Sequence, residues 1–193
     1  MKILRNTLPA LILIDIQKAF DHIDYWGGER NNPDAELNAR KLLDYWRKND
    51  LPLFHIQHCS VHPGSLLAEG NPGNEHKDIV RPLTGETIIK KSVNSAFIGT
   101  DLKERLDAAN IDTLVIIGLT TEHCVSTTAR MAANFGYNVF VAADATAAFA
   151  KKGINGERYN AETTHLTALS HLNEEFAIIV NTDEIIRQLE ETM

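Results

Sequence analysis

Short apolar runs of strand length alternate with segments of helical periodicity along almost the whole chain. The first run, Ala10–Ile14, is followed at once by Asp15, which is the pattern of a strand buried on both faces. Further strands are predicted at 51–58, 87–91, 114–118, 138–143 and 176–180. Helices are predicted from Asp34 onward and at 99–109, 122–135, 160–172 and 183–190. The alternation predicts an α/β fold, a three-layer α/β/α sandwich whose mostly parallel sheet of about six strands carries helices on both faces.

Apolar spacing within the predicted helices assigns the residues that face the sheet. In the helices at 99–109 and 160–172 the inward positions are Leu102, Leu106, Ala109, Leu166, Leu169 and Leu172. Thr100 is the expected cap of the helix at 99–109. Gly136 is expected to end the helix at 122–135. His165 and His171 are expected on the surface. The segment 61–82 has Gly, Pro, Asn and His without periodicity, which predicts a long, functional surface loop.

The composition limits the kinds of protein that the chain can be. With 193 residues it can bury one sizeable core, and we expect a single domain over residues 1–193. A hydrophobic share of 44% and a charged share of 23% are those of an ordinary globular protein and disfavour disorder, collagen and coiled coils. The formal charge of -7, without any cluster of basic and aromatic residues, argues against a nucleic-acid partner.

Neither a membrane segment nor a disulfide framework is predicted. The longest early apolar run, 8–14, is interrupted by Pro9 and is too short for a bilayer span, and no small-residue cleavage site follows it. We therefore expect a cytoplasmic protein without a membrane partner. Cys59 and Cys124 are too few to form a disulfide framework in a chain of this length, so each thiol must be judged by its surroundings.

Ligands of such sheets bind beyond the carboxyl ends of the strands. The polar residues that follow predicted strands are Asp15, His58, Lys91, the segment 120–124 and Asp144. Because Asp15 directly follows a buried strand, its carboxylate needs a cation or several donors to offset desolvation. Lys91 is the candidate cation. Taken singly, Asp15 could cap a loop and Lys91 could be a solvated strand end.

Cys124 lies at the start of a predicted helix. Unpaired N–H groups and the helix dipole favour an anion there, so this position favours the thiolate. The alternative is a small, buried hydrophobic residue, since free cysteine is often buried. A thiol, a carboxylate and an ammonium in one crevice would provide the nucleophile, proton acceptor and stabilising charge that covalent catalysis needs.

Three motifs occur in a fixed order: LILIDIQKAFD at 11–21, KSVNSAFIGTDL at 91–102 and GLTTEHCVSTTAR at 118–130, followed by GYNVFVAADA at 136–145. With them the chain resembles the isochorismatase-like cysteine hydrolases, which include nicotinamidases and N-carbamoylsarcosine amidase. The resemblance covers nearly the whole chain and implies a Rossmann-like, isochorismatase-like hydrolase fold. The residues that match the family's catalytic aspartate, lysine and nucleophile are Asp15, Lys91 and Cys124. Lys91 is matched rather than Lys90 because it lies four residues before Ser95.

The same resemblance implies an oxyanion hole, and it allows a comparison with the metal site of nicotinamidases. Backbone N–H groups of Thr120 and Cys124 match the family's oxyanion hole, and the cis peptide that commonly precedes it matches Leu119–Thr120. Nicotinamidases carry an Asp-x-His metal pair after the second strand, where this chain has no Asp. The residues available there are His55, His58, Cys59 and His62. They lack tetrahedral spacing, so neither a metal nor another cofactor is expected.

The substrate is less defined than the reaction. Isochorismatases that cleave a vinyl ether generally lack the cysteine, so Cys124 favours C–N cleavage in a small, planar amide, ureide or carbamoyl compound. Phe20 matches a family pocket-wall position. Further candidates for substrate binding, chosen because they lie on loops at the carboxyl edge, are Trp26, His123, Phe149 and His22. Trp26 and Phe149 could equally serve packing or subunit contacts. Family members are often dimers or tetramers, so a homo-oligomer is expected.

Other functions stay open at this point. They are vinyl ether hydrolysis, phosphate hydrolysis through an aspartyl phosphate, and non-catalytic binding on the same fold. Phosphohydrolases of that type usually need a second acid two residues after the aspartate, where this chain has Gln17, so Mg²⁺ would lose a ligand. Dinucleotide binding is disfavoured because no G-x-G-x-x-G follows the first strand.

Overall fold

A computed structural model describes residues 2–191 of the protein. Within these residues the strands are β1 (Ala10–Ile14), β2 (Leu53–His58), β3 (Thr87–Lys91), β4 (Thr113–Leu119), β5 (Asn138–Ala147), β6 (Lys151–Lys152), β7 (Arg158–Tyr159) and β8 (Ile178–Val180). Strands β6 and β7 form a small antiparallel hairpin. The other six form one sheet in the order β3-β2-β1-β4-β5-β8, with every neighbouring pair parallel. The predicted parallel sheet is confirmed.

Helices cover both faces of this sheet. They are α1 (Ile23–Trp26), α2 (Ala35–Lys48), α3 (Leu102–Ala108), α4 (Ser126–Asn134), α5 (Ala161–Ser170) and α6 (Thr182–Glu191). In β1, Leu11 and Leu13 pack with α2 and α6, whereas Ile12 and Ile14 pack with α3, α4 and α5. Both faces of β1 are therefore buried, which explains its uninterrupted apolar run. Between residues 2 and 191, no helix has the length and apolar character needed to cross a membrane.

Two predictions near the carboxyl edge of the sheet need correction. The helix predicted at 122–135 begins as a π-helical turn, Thr121–Val125, and α4 starts only after it. Strand β5 continues past its predicted end, so Asp144 lies inside the strand rather than in the crevice beyond it. Its carboxylate accepts hydrogen bonds from the backbone N–H and the hydroxyl of Thr182, both at 2.9 Å. Asp144 therefore holds the start of α6.

The buried face of α5 also differs from the prediction. Its buried residues are Ala161, His165 and Leu169. These lie four residues apart and form one stripe. Leu166, predicted to face the sheet, is 55% exposed because it lies one residue beyond the stripe. His165, predicted on the surface, is buried, and its Nδ1 lies 2.9 Å from the hydroxyl of Thr121.

Helix α3 is shorter than predicted at both ends. Leu102 and Leu106 are buried as expected, but the helix ends before Ala109, which is exposed. Asp101 rather than Thr100 occupies the capping position. The Thr100 hydroxyl still accepts a hydrogen bond from the first helical N–H at 3.4 Å.

The segment 61–82 is not simply a surface loop. It contains two short 3₁₀ turns, Pro72–Asn74 and Asp78–Val80, and its buried residues include Lys77. The amide of Asn74 donates to the carbonyl oxygens of His58 and Leu67, both at 2.8 Å. These bonds fix the segment against the carboxyl end of β2.

Gly118 lies where β4 passes very close to β1. Its φ is +120°, a conformation that residues with a side chain rarely adopt, and a Cβ there would lie 2.0 Å from the carbonyl oxygen of Ile14. Because Asp15 is the next residue after Ile14, this close approach sets the spacing between the ends of the two strands.

We expect Gly118→Ala to lower the free energy of unfolding by at least about 3 kcal/mol, since the new methyl group meets backbone that cannot rotate away. Gly136→Ala is the matched control. Its φ is +91°, but no atom lies within 4 Å of the added Cβ, so only about 1 kcal/mol of conformational strain is expected. Urea unfolding measures both variants, and equal losses would contradict the steric argument.

Two histidines lie side by side at β2: His55, a buried residue of the strand, and His76, which is half-buried and packs against it. His55 is buried, and its Nε2 is 2.9 Å from Glu86, to which Arg47 also donates two hydrogen bonds. Burial opposes ionisation of Glu86, but these hydrogen bonds and one from the backbone of Leu83 lower its pKa to about 2. The His76 ring lies 5.7 Å from the His55 ring, and its buried Nε2 has no hydrogen-bond partner between residues 2 and 191. Burial, followed by the charge of His55, lowers the pKa of His76 to about 4.

His76 should make the folded protein sensitive to acid. Its pKa falls from 6.5 to about 4 on folding, so its contribution to stability is present above pH 6.5 and is lost as the pH falls towards 4. At a pH near 4.5 the loss amounts to roughly 2 to 3 kcal/mol. His76→Gln removes this titration. The fall in unfolding free energy between pH 7 and pH 4.5, measured by urea unfolding, should therefore be smaller in the variant, and an equal fall would refute the assignment.

Candidate active site

Asp15, Lys91 and Cys124 meet at the carboxyl edge of the sheet. Asp15 follows β1, Lys91 is the last residue of β3, and Cys124 lies in the π-helical turn after β4. The Nζ atom of Lys91 is 2.6 Å from Oδ2 of Asp15 and 3.3 Å from Sγ of Cys124. The side chains of Asp15 and Lys91 have no exposed surface, and Cys124 is 9% exposed. The structure thus brings together the three residues that the sequence singled out.

The ammonium group of Lys91 is surrounded by acceptors. Besides the carboxylate and the sulfur, Nδ1 of His58 and the carbonyl oxygen of Val93 each lie 3.1 Å from Nζ. An ammonium carries three protons, so it cannot donate to all four acceptors at once. These contacts offset the cost of burying the charge. Lys91 is therefore not a solvated strand end, and Asp15 is not a surface loop cap.

The surroundings of Cys124 favour the protonated thiol. Burial, followed by the negative charge of Asp15, raises the pKa of Cys124, and the nearby ammonium of Lys91 opposes this only in part. The expectation that the start of the helix favours the thiolate is wrong for this thiol, because the sulfur is withdrawn from water beside a carboxylate. Oδ1 of Asp15 is buried and has no hydrogen-bond partner in the described chain, so it is free to accept a proton.

The turn before Cys124 has the backbone that the family resemblance implies. The peptide bond between Leu119 and Thr120 is cis. Thr120 is 5% exposed and lines the same cavity as Cys124. The contact between Thr121 and His165 ties this turn to α5, so a helix on one face of the sheet holds the segment that carries the sulfur.

A cavity of about 570 Å³ opens at this edge of the sheet. Three predicted substrate-binding residues line it, namely Phe20, Trp26 and His123. Phe149 does not line it. Phe149 has no exposed surface, and its ring centroid lies 6.1 Å from that of Phe20 and 6.2 Å from that of Trp26, so it packs behind these aromatic rings. His22 is exposed and lies outside the lining of this cavity.

The sequence did not assign several other lining residues. They are Tyr25, Ser60, His62, Gly64, Ser65, Leu67, Asn94 and Lys151. Those between 61 and 82 belong to the segment whose length alone predicted a functional loop. Their inward orientation could not be predicted, because it depends on tertiary hydrogen bonds such as the one from Asn74 to His58 of β2. Lys151 lies in the hairpin after β5, where no motif or periodicity marks it.

The site does not fit a metal ion as it stands. Ligand atoms of Asp15, His58 and Cys124 lie within 4.8 Å of one another, which is close enough for shared coordination. However, Nζ of Lys91 lies within 3.3 Å of all three side chains, so this position already holds a cation. His55, another histidine of the same strand, pairs with a carboxylate elsewhere. The histidine and cysteine group considered from the sequence is therefore not assembled as a metal site.

The isochorismatase domain model matches residues 9–184. The chain belongs to the isochorismatase family. The family protein YrdC of Bacillus subtilis (strain 168) is 48% identical over 183 residues, which are 95% of this chain and 97% of that protein. A crystal structure from Chromobacterium violaceum, assigned to the same family, has a TM-score of 0.94 at 39% identity and covers 99% of this chain and 98% of that one. N-carbamoylsarcosine amidase from Thermoplasma acidophilum has a TM-score of 0.73 at 27% identity and covers 91% and 96%.

Removal of the ammonium should cost this isochorismatase-family protein much of its stability. We expect Lys91→Met to lower the free energy of unfolding by about 3 to 5 kcal/mol at pH 7, because it leaves the carboxylate of Asp15 buried without a counter-charge. Lys90→Met is the matched control, since Lys90 is 61% exposed and pairs with the exposed Glu69. Urea unfolding compares the two, and similar losses would contradict the role of burial.

Proposed function

We propose that this isochorismatase-family protein is a cysteine hydrolase that cleaves a C–N bond in a small amide, ureide or carbamoyl compound. One observation carries the proposal: a single buried ammonium, that of Lys91, touches both the carboxylate of Asp15 and the thiol of Cys124 at the wall of a cavity. A nucleophile beside a proton acceptor, both held by one charge, is the arrangement that covalent catalysis requires.

In the first half of the proposed reaction, Sγ of Cys124 attacks the carbonyl carbon of the substrate while Asp15 takes the thiol proton. Because the pKa of Cys124 is raised, the proton leaves as the new bond forms rather than beforehand. Backbone N–H groups of Thr120 and Cys124 bind the developing oxyanion, each contributing on the order of 3 kcal/mol. Lys91 stabilises the sulfur as it becomes more negative, and it keeps Asp15 in position.

In the second half, Asp15 returns its proton to the leaving nitrogen, the C–N bond breaks, and a thioester with Cys124 remains. Asp15, again ionised, takes a proton from a water molecule that attacks the thioester carbon. The C–S bond breaks, Asp15 gives the proton from water to the sulfur, and the acid product departs, a carboxylic acid from an amide or a carbamic acid from a ureide or carbamoyl compound. Every proton transfer uses the same carboxylate, which is consistent with the free, buried Oδ1 of Asp15.

The cavity suits a small substrate. Its volume of about 570 Å³ lies in the range of small-molecule sites. Phe20 and Trp26, with ring centroids 4.7 Å apart, offer a flat apolar surface for a planar compound, and His123 offers a polar contact. The N-carbamoylsarcosine amidase that shares this fold supports the choice of a C–N bond. A homo-oligomer, dimer or tetramer, remains a proposal from family resemblance, and a cytoplasmic location remains a proposal from the sequence.

The phosphohydrolase alternative receives little support. Gln17, at the position where that chemistry needs a second acid, is buried and committed to the scaffold. Its amide donates to the carbonyl oxygen of His58 at 3.0 Å and accepts from the backbone N–H of His58 at 2.9 Å. Vinyl ether hydrolysis does not need a thiol beside Asp15, so it does not account for the position of Cys124. A binding function without catalysis does not account for this position either.

A panel of small amides and ureides, assayed for ammonia release, tests the proposal. We expect turnover of at least one compound, with a loss of at least about a thousandfold in Cys124→Ala and a comparable loss in Asp15→Asn, because nucleophile and base act as a unit. Cys59→Ala is the matched control for a cysteine outside the cavity lining and should keep its activity. Wild-type rates in Cys124→Ala would refute the proposal, and a requirement for Mg²⁺ would favour phosphohydrolase chemistry.

A further inference from the structure

A second charged group lies at the rim of the catalytic cavity, away from Asp15 and Lys91. Lys151 and His123 both line the cavity, and both approach the carboxylate of Glu122, which does not line it. Oε1 of Glu122 is 3.1 Å from Nζ of Lys151 and 3.7 Å from Nε2 of His123. The Glu122 side chain is 12% exposed, whereas Lys151 is 33% exposed and His123 is 54% exposed. A buried carboxylate therefore stands behind two nitrogen groups that face the cavity.

The ammonium protons of Lys151 are not committed to this carboxylate. Both oxygens of Glu122 are buried, and neither accepts a hydrogen bond from any residue between 2 and 191. The ion pair between Glu122 and Lys151 is thus an electrostatic contact without a well-oriented hydrogen bond. Lys151 is held in place by electrostatic attraction while its N–H groups remain available to another acceptor.

The cavity contains little negative charge to occupy that ammonium. Among its described lining residues Asp15 is the one carboxylate, and Lys91 neutralises it at 2.6 Å. Burial and the charge of Asp15 raise the pKa of the Cys124 thiol, which favours its neutral form. A ligand in the cavity therefore meets the ammonium of Lys151, whose charge is paired with Glu122 but whose N–H groups are not hydrogen-bonded to it. It also meets the polar ring of His123 and, elsewhere in the lining, the aromatic surface of Phe20 and Trp26.

We infer that the preferred substrates are amides that carry a carboxylate, and that Lys151 receives this carboxylate while the amide carbon lies against Cys124. The inference rests on the proposed function and narrows its substrate class. A charge-assisted hydrogen bond from a partly buried ammonium favours an anionic ligand over a neutral one of the same shape. Glu122 acts as a positioning residue, since it holds Lys151 and His123 from behind without facing the ligand.

Three amides of similar length and different charge test the inference: succinamate, with a negative end, butanamide, with a neutral end, and γ-aminobutyramide, with a positive end. For the wild-type protein kcat/KM should decrease in that order. In Lys151→Met the ratio of kcat/KM for succinamate to that for butanamide should fall about tenfold. Lys152→Met removes the same charge from the neighbouring residue, which is exposed and does not line the cavity, and should keep the wild-type ratio.

Alkylation tests Lys151 without any turnover. Iodoacetate and iodoacetamide both alkylate a cysteine: a bond forms between their CH₂ carbon and the sulfur as iodide leaves. Only iodoacetate carries a negative charge. Peptide mass spectrometry gives the ratio of the two rates at Cys124, with Cys59 as an internal reference thiol. We expect the ratio at Cys124 to fall about tenfold in Lys151→Met and to stay at the wild-type value in Lys152→Met, with no change at Cys59.

The two measurements separate failure of the inference from failure of the proposed function. If amides are hydrolysed and neither ratio responds to Lys151→Met, the hydrolase proposal stands and the role of Lys151 is overturned. If no amide is hydrolysed but the alkylation ratio falls only in Lys151→Met, the anion-receiving role stands and the reaction must be reassigned. Equal falls in Lys151→Met and Lys152→Met would overturn the inference, because they would reflect net charge alone.

Discussion

The buried ion pair between Lys91 and Asp15 is the interaction on which the site depends. Each charge alone would cost several kcal/mol to remove from water, and the pair persists because the two atoms are 2.6 Å apart and the ammonium has further acceptors. The same pair sets the chemistry of Cys124. Burial and the carboxylate raise the pKa of the Cys124 thiol. In the proposed reaction the carboxylate takes the thiol proton, and the ammonium stabilises the sulfur anion that forms.

Much of the surrounding scaffold serves to hold these groups at their distances. Gln17, fully buried, exchanges two hydrogen bonds with the backbone of His58. Burial, followed by the charge of Lys91, lowers the pKa of His58, which keeps its ring neutral and able to accept from the ammonium. Gly118 allows β4 to approach β1 closely beside Asp15. Lys91 thus ends a strand, Asp15 directly follows one, and Cys124 lies in the turn after β4, so the sheet fixes the positions of all three groups.

Prediction from the sequence was most accurate where one physical cause dominates. A strand buried on both faces must be apolar throughout, and this property locates Ala10–Ile14 correctly. Thr87–Lys91 is also located correctly, although only Ile89 and Lys91 of this strand are buried. Periodicity located α5 but not its orientation, since Leu166 and His165 are neighbours and only packing decides which of them is buried. The sequence also does not predict the direction in which the pKa of Cys124 shifts. A position at the start of a helix lowers the pKa of a thiol, whereas burial raises it, and the extent of burial depends on the tertiary structure.

The sequence by itself determined the order of strands and helices, the parallel sheet and the identity of Asp15, Lys91 and Cys124 as candidates, because apolar periodicity and strand-end polarity are local properties of the chain. Only the tertiary structure decided that the ammonium of Lys91 contacts both the carboxylate and the thiol. It also decided that Phe149 packs behind the rings of Phe20 and Trp26 and that Lys151 lines the cavity. These features depend on distances between segments far apart in the chain, and such distances are fixed by packing and by buried hydrogen bonds rather than by any local pattern.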